Sequence, residues 1–347
     1  MSQIISGSTS MDAEAPTGTN ALNGLHAVYA PIMSELRKVE TILQSELNND
    51  TPLVDELLNH SRLLGGKRIR PVFLLLSAAC TGGISERHLK MSAALEMIHT
   101  ATLIHDDLLD NAHTRRHRPT ANATWGAKQT VLLGDYLFTH SFYLASLAGS
   151  AEALKMLAQA SNLVCEGEMR QNAYQGNFEL DEPTYIKLIA DKTAELCGVG
   201  CRLGAFLNDA SDEEIRQHYT YGRNLGISFQ IIDDVLDIVG SPDNVGKTLG
   251  TDLINQKPTL PVIHAIATRT GQAKTELKEF LQLPVKDVKA ANSRLIHYLN
   301  ETDSIEYARG QARAHAESAI QFAESLHQSE YSQALVFLAN FVLSRTH

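Results

Sequence analysis

The stretch SERHLKMSAALEMIHTATLIHDDLLD, residues 85–110, decides the fold. Its apolar residues recur at three- and four-residue spacings with no alternation of period two, so it reads as one long α-helix. Residues 182–207 and 212–239 read the same way, and all three segments exceed the roughly 11 to 12 residues of an average helix. Gly65-Gly66, Thr81-Gly82-Gly83, Gly149-Ser150, the run 208–211 and Gly240-Ser241-Pro242 punctuate the pattern where helices must stop. The expected architecture is all-α, a single large bundle of long antiparallel helices around a central cavity. No repeat and no linker divides it.

Residues 1–24, rich in Ser, Thr, Gly and Ala and without periodicity, read as a disordered N-terminal extension before one domain spanning 25–347. A formal net charge of -10 argues against nucleic-acid binding, while leaving room for a local basic pocket. No run approaches the roughly 18 to 20 apolar residues of a membrane span, and no signal peptide is visible, so a cytoplasmic location is expected. Cys80, Cys165, Cys197 and Cys201 are too few and too scattered for a disulfide framework, and reduced core thiols are expected.

Within the opening stretch, Asp106 and Asp110 lie four apart and His99 seven before Asp106, so the three share a helical face. The segment FQIIDDVLDIVG, residues 229–240, repeats the design with Asp233, Asp234 and Asp237, and with Gln230 seven before Asp237. Apolar neighbours surround both groups, among them Leu103, Leu108 and Leu109 in the first and Phe229, Ile231 and Ile232 in the second. Carboxylates gathered in such a core repel one another and lose hydration, which drives protonation unless cations intervene. Mg²⁺ suits the pattern, because it takes oxygen ligands and is commonly shared between carboxylates and substrate phosphates. A solvated acidic face is the plain alternative for a single DDxxD. Two copies on apolar helices are a far more specific signal.

A site that holds metal-bound phosphate needs cations of its own to grip the phosphate oxygens. Candidates stand in GGKRIRP (65–71), RRHRP (115–119), DKT (191–193) and GKTLGTDLINQK (246–257). In this order with the two DDxxD groups, these segments resemble the trans-isoprenyl diphosphate synthase (polyprenyl synthetase) family, from about residue 25 to the C-terminus. Their form is similar to its long-chain branch.

That resemblance implies the isoprenoid synthase fold and a prenyltransferase, usually a homodimer, that adds isopentenyl diphosphate head-to-tail to an allylic diphosphate. Asp106, Asp110 and Asp233 match Mg²⁺ ligands, with Asp107, Asp234 and Asp237 completing or orienting the shell around three ions. Arg115, Lys192, Lys247 and Lys257 match positions that hold the allylic diphosphate, and Lys67, Arg70, His99 and Arg116 those that hold isopentenyl diphosphate. Thr193 and Gln230 would present oxygens to the forming cation. Transient membrane contact would accompany product release.

Product length is expected from Ala101 and Thr102, which match the positions a turn above the first motif. Both are small, whereas an aromatic there would block a tunnel roughly 6 to 8 Å below the metals, so the resemblance implies about six to ten isoprene units. Ala101 could instead simply pack against a neighbouring helix, with Phe138 or Phe142 forming the floor. Two places depart from the family pattern: His117 stands where glycine is common, and Gln256-Lys257-Pro258 puts a proline where it can open a helix, with Lys257 at the N-terminus. A shorter-chain synthase, a class I terpene cyclase and a non-catalytic subunit of a heteromeric synthase are the rival readings. The second DDxxD and GGKRIRP disfavour the cyclase, and retention of both aspartate groups disfavours the inactive subunit.

Overall fold

The structure is a computed structural model that describes residues 27–64, 66–116, 118–240 and 250–344. The N-terminal extension, Gly65, His117 and Lys247 lie outside the described residues. After a 3-10 turn come helices α1 (Met33–Glu46), α2 (Pro52–Leu63), α3 (Ile69–Thr81), α4 (Glu86–Leu109), α5 (Ala121–Ser146) and α6 (Ala151–Ala173). Helix α7 (Glu182–Ile189) passes through a π turn (Ala190–Ala194) into α8 (Glu195–Phe206), and α9 (Asp212–Val239) follows. The chain ends with α10 (Thr251–Ile254), α11 (Leu260–Thr268), α12 (Gly271–Gln282), α13 (Val288–Asn300), α14 (Ser304–Ser325) and α15 (Glu330–Ser344).

The all-α expectation holds, and local chemistry explains where the helices begin. Ser211 caps α9 through a reciprocal box, its hydroxyl accepting from the Glu214 amide at 3.3 Å while Glu214 accepts from the Ser211 amide at 3.0 Å. Ser85 caps α4 the same way with His88 in place of an acid, the Ser85 amide donating to Nδ1 at 3.0 Å. Two details differ from the sequence reading. A two-residue antiparallel ribbon, β1 (Thr114–Arg115) with β2 (Arg118–Pro119), interrupts the helices. Helix α11 opens at Leu260 with Pro261 in its first turn, not at Pro258, so Lys257 sits in a connecting segment and not at a helix N-terminus.

The apolar residues form two clusters. The larger holds α1 to α6, α8 and α15, and the smaller holds α7, the π turn and α11 to α13. Helices α9 and α14 thread both: Tyr221 and Leu225 belong to the first cluster and Ile231, Ile232 and Val235 to the second. On α14 the stripe Ala308, Ala312, Ala316, Ala319 and Ala323 is wholly or almost wholly buried. Small side chains at these spacings let the helix axes approach closely. The first aspartate group rides on the larger cluster and the second on the smaller, so the seam between the clusters is where they can meet.

His218 on α9 is completely buried against the Phe322 ring, 5.0 Å between centroids, and neither ring nitrogen has a hydrogen-bond partner among the described residues. Burial holds it neutral, pushing its pKa down to about 4. The unfolded chain therefore binds the proton more tightly, and stability falls as pH drops from about 6.5 toward 4. Between pH 7 and pH 5 this residue alone should account for roughly 2 kcal/mol of lost stability. Urea unfolding of His218→Leu at the two pH values should show a shallower loss than the parent by that amount; identical slopes would refute it.

Candidate active site

The ribbon β1–β2 and the start of α3 build the cationic side. Arg116 adopts the left-handed conformation at the ribbon tip (φ 51°). Its guanidinium donates to the Leu64 carbonyl at 2.8 Å and lies so close over Gly66 that a Cβ there would fall 2.5 Å from it. Lys67 stands over the Phe341 ring of α15 at 5.0 Å, and its carbonyl accepts from the Tyr29 hydroxyl. Beneath them, burial holds His99 well below the usual histidine range, helped by Arg70, Arg115, Arg116 and Arg68. A neutral imidazole thus sits among Arg68, Arg70, Arg115 and Arg116, while the Lys67 ammonium is placed over Phe341. Arg70 Nε is buried without a partner among the described residues.

Sequence reasoning passed over the intervening Arg68. It is left-handed (φ 50°) at the α3 N-cap and pairs with Glu40 and with Glu96, the latter at 3.0 Å. This internal pairing turns Arg68 away from any ligand and pins α1, α3 and α4 together.

At the end of α4 the three aspartates separate by environment. Asp107 is buried, with Arg115 Nε donating to both its oxygens at 2.9 Å. Asp106 is half-buried, and desolvation pushes its carboxyl up to about 6, opposed chiefly by Lys192. Asp110 is exposed, 3.3 Å from Lys257 Nζ. Leu109 beside it is 54% exposed, so the apolar sheath foreseen around this motif opens at the site's rim.

On α9, Asp237 accepts from the Thr251 hydroxyl at 2.9 Å and the Asp252 amide at 3.0 Å, and its carbonyl accepts from the Gly250 amide. It thereby caps α10, the turn from which Lys257 reaches Asp110. Asp234 accepts from the Tyr185 hydroxyl at 2.7 Å and from Gln230 Nε2 at 2.8 Å. Gln230 in turn accepts from the Thr193 hydroxyl at 2.9 Å. Asp233 is half-buried one residue before Asp234.

The π turn delivers Lys192 and Thr193 to this junction. Such turns insert one residue into a helix and so redirect the side chains they carry. Two glycines let the neighbours close on it: a Cβ on Gly167 of α6 would lie 2.6 Å from the Lys192 amide nitrogen, and one on Gly226 of α9 would lie 2.5 Å from Ala194 Cα. Lys192 donates to Gln171 at 2.6 Å and pairs with Glu168, both on α6. Glu168 and Gln171 were missed in the sequence, where the only sign was a polar pair three apart on an otherwise ordinary amphipathic helix. Glu168 also raises Asp106 and Lys257, which places it between the two lysines electrostatically.

Among the described residues no three His, Cys, Asp or Glu side chains converge closely enough to hold an ion by themselves. The donor set is one of carboxylates spread over two helices beside cationic groups. It fits Mg²⁺ shared with a ligand's phosphate oxygens and does not form an all-protein cage. Cys197 and Cys201 are buried free thiols in the core, whereas Cys165 is exposed, contrary to the expectation that all four lie inside. Ala101 is fully buried, and Thr102 is half-buried with its hydroxyl donating to the His99 carbonyl at 2.8 Å. Phe138 and Phe142 pack on the same core, 6.2 Å between centroids.

Carboxylates on two helices beside a cluster of arginines and lysines form the kind of site that suits a metal-bound diphosphate. The sequence profile of the family described as polyprenyl synthetase matches residues 51–298. The octaprenyl diphosphate synthase of Haemophilus influenzae is 34% identical over 90% of this chain and 94% of its own length. Heptaprenyl diphosphate synthase component 2 of Geobacillus stearothermophilus is also 34% identical, over 93% and 99%. A polyprenyl synthase from Caulobacter crescentus CB15, solved in complex with calcium and isoprenyl diphosphate, superposes with a TM-score of 0.85 at 30% identity, covering 93% of this chain and 98% of that one. The chain belongs to the polyprenyl synthetase family and is a prenyltransferase.

Replacing Gly167 with alanine should force Lys192 away from α6 and cost about 1–3 kcal/mol in denaturant unfolding, the usual scale of overpacking. A loss below roughly 0.5 kcal/mol, the level of ordinary surface substitutions, would mean that this contact does not hold the π turn.

Proposed function

We propose that this chain is a trans-polyprenyl diphosphate synthase of the long-chain type, adding isopentenyl diphosphate head-to-tail to an allylic diphosphate. The observation that carries the reading is the junction at the π turn. There Lys192 faces Asp106 of the first motif, while Thr193 is hydrogen-bonded to Gln230 of the helix bearing the second. The relatives named as octaprenyl and heptaprenyl synthases support the long-chain product.

Asp106, Asp110 and Asp233 would hold Mg²⁺, three ions being the number that balances six ionised carboxylates. Bound there, the metal supplies Lewis-acid neutralisation of the departing diphosphate. Arg115, Lys192, Lys257 and Lys247 grip that diphosphate. Lys67, Arg70, Arg116 and neutral His99 receive isopentenyl diphosphate; His99 can donate one hydrogen bond without adding charge.

As the allylic C–O bond breaks, Thr193 and Gln230 turn oxygen lone pairs toward the cation, where a carboxylate would risk alkylation. The double bond of isopentenyl diphosphate then attacks, and the released diphosphate takes the proton that restores the alkene. Asp107, Asp234 and Asp237, each with protein donors on its oxygens, orient these groups.

We place the domain at 25–347, in the cytoplasm and as a homodimer, with transient membrane contact for product release and no nucleic-acid partner. No helix among the described residues is long and apolar enough to cross a membrane. Val131, Leu132, Tyr143 and Leu147, on and just after α5, expose apolar surface that a second copy would cover. The relative named component 2 supports a heteromer as the second reading. Sedimentation and assay of the purified chain alone separate the two.

Incubation with labelled isopentenyl diphosphate and each allylic primer, with and without Mg²⁺, tests the function directly; absence of any chain-extended product would overturn it. Asp106→Ala and Asp233→Ala should each reduce turnover by several orders of magnitude, since each removes several kcal/mol of electrostatic stabilisation. Near-normal turnover in both would refute the metal assignment. Ala101→Phe should shorten the product, and an unchanged product distribution on chromatography would show that the limit lies elsewhere, with Phe138 and Phe142 the next candidates.

A further inference from the structure

The polarity of the Thr193–Gln230 pair is not set by those two residues. An amide side chain can sit either way round, and its orientation follows from what its neighbours can accept or donate. Asp234 as a carboxylate only accepts. Its contact with Gln230, 2.8 Å, therefore requires the amide nitrogen on that side, which turns Oε1 toward Thr193. The Thr193 hydroxyl must then donate, as the 2.9 Å contact shows, leaving the lone pairs of Oγ1 directed elsewhere. The order of this chain of dipoles follows from Asp234 being held in place as the acceptor at its end.

The Tyr185 hydroxyl holds it there. Tyr185 on α7 is 2% exposed, and it donates to the second oxygen of Asp234 at 2.7 Å. The four residues come from α7, the π turn and α9, so the path crosses two elements that carry the proposed cation-stabilising oxygens. We propose that Tyr185 is a positioning residue for prenyl transfer: through Asp234 it fixes the Gln230 amide with Oε1 on the Thr193 side, so that the Thr193 hydroxyl donates to Gln230 and keeps its oxygen lone pairs for the forming cation. It touches no substrate. Its effect belongs to the step in which the allylic cation forms, and not to diphosphate binding, which depends on Lys67, Lys192 and the arginines.

The inference rests on the proposed function, and the experiment separates the two. The full chain and its Tyr185→Phe variant are compared in steady-state turnover with isopentenyl diphosphate and an allylic primer, in thermal unfolding, and in calorimetric titration with inorganic diphosphate plus Mg²⁺. Tyr185→Phe should lower kcat by about 10- to 100-fold, the range seen for residues that orient catalytic groups from behind. KM for isopentenyl diphosphate and the Kd for diphosphate should stay within about twofold of the parent, a change too small to signal a lost ligand contact.

In a Gln230→Met background, which has no amide to orient, Tyr185→Phe should lower kcat by less than about twofold further, because residues that act as one unit are not additive. A lowered unfolding temperature with kcat unchanged, losses that multiply in the double variant, or a diphosphate Kd weakened in parallel with kcat would each overturn the inference. A parent chain that forms no prenyl product would instead overturn the proposed function, and this inference with it.

Discussion

Six carboxylates on two apolar helices cannot all remain ionised in a protein interior without compensation, and the rest of this structure answers that constraint. The compensation is divided. Arg115 neutralises Asp107, the Tyr185 hydroxyl and Gln230 amide hold Asp234, and the α10 N-terminus with Thr251 holds Asp237. Asp106 has Lys192 beside it, and Asp110 has Lys257. Desolvation still pushes the Asp106 carboxyl up to about 6, opposed chiefly by Lys192.

The scaffold makes this division possible by bringing helices closer than ordinary side chains allow. Gly167 and Gly226 press two helices against the π turn, and the alanine stripe of α14 lets α9 run through both apolar clusters. A single long helix thus carries the second aspartate group while sharing its packing with the first group's core. The position of Lys192 and Thr193 follows from that packing and not from any preference of their own backbone.

Much of this was legible in the chain itself. The period of 3.6 residues placed Asp106 with Asp110 and Asp233 with Asp237, and the glycine and serine punctuation marked helix ends that the structure reproduces at Ser85, Ser150 and Ser211. What the sequence could not show are contacts between residues far apart in it. Glu168 and Gln171 matter only because α6 lies against the π turn. Tyr185 matters only because α7 crosses α9, and Arg68 is set apart from Arg70 only by Glu40 and Glu96. The π turn itself has no local signature, since residues 182–207 read as one unbroken helix. The misplaced start of α11 has a similar cause: two prolines lie three apart, and only tertiary packing selects Pro261 over Pro258.

Lys257 is paired with Asp110 and Lys192 with Glu168, so each of these lysines already has a carboxylate partner within the protein. On the function proposed above, a diphosphate binding there would have to displace these partners, its phosphate oxygens taking the lysines while the released carboxylates would be left for a cation. Selectivity then comes from geometry, because only a ligand that brings both charges at the right separation can release all the partners at once.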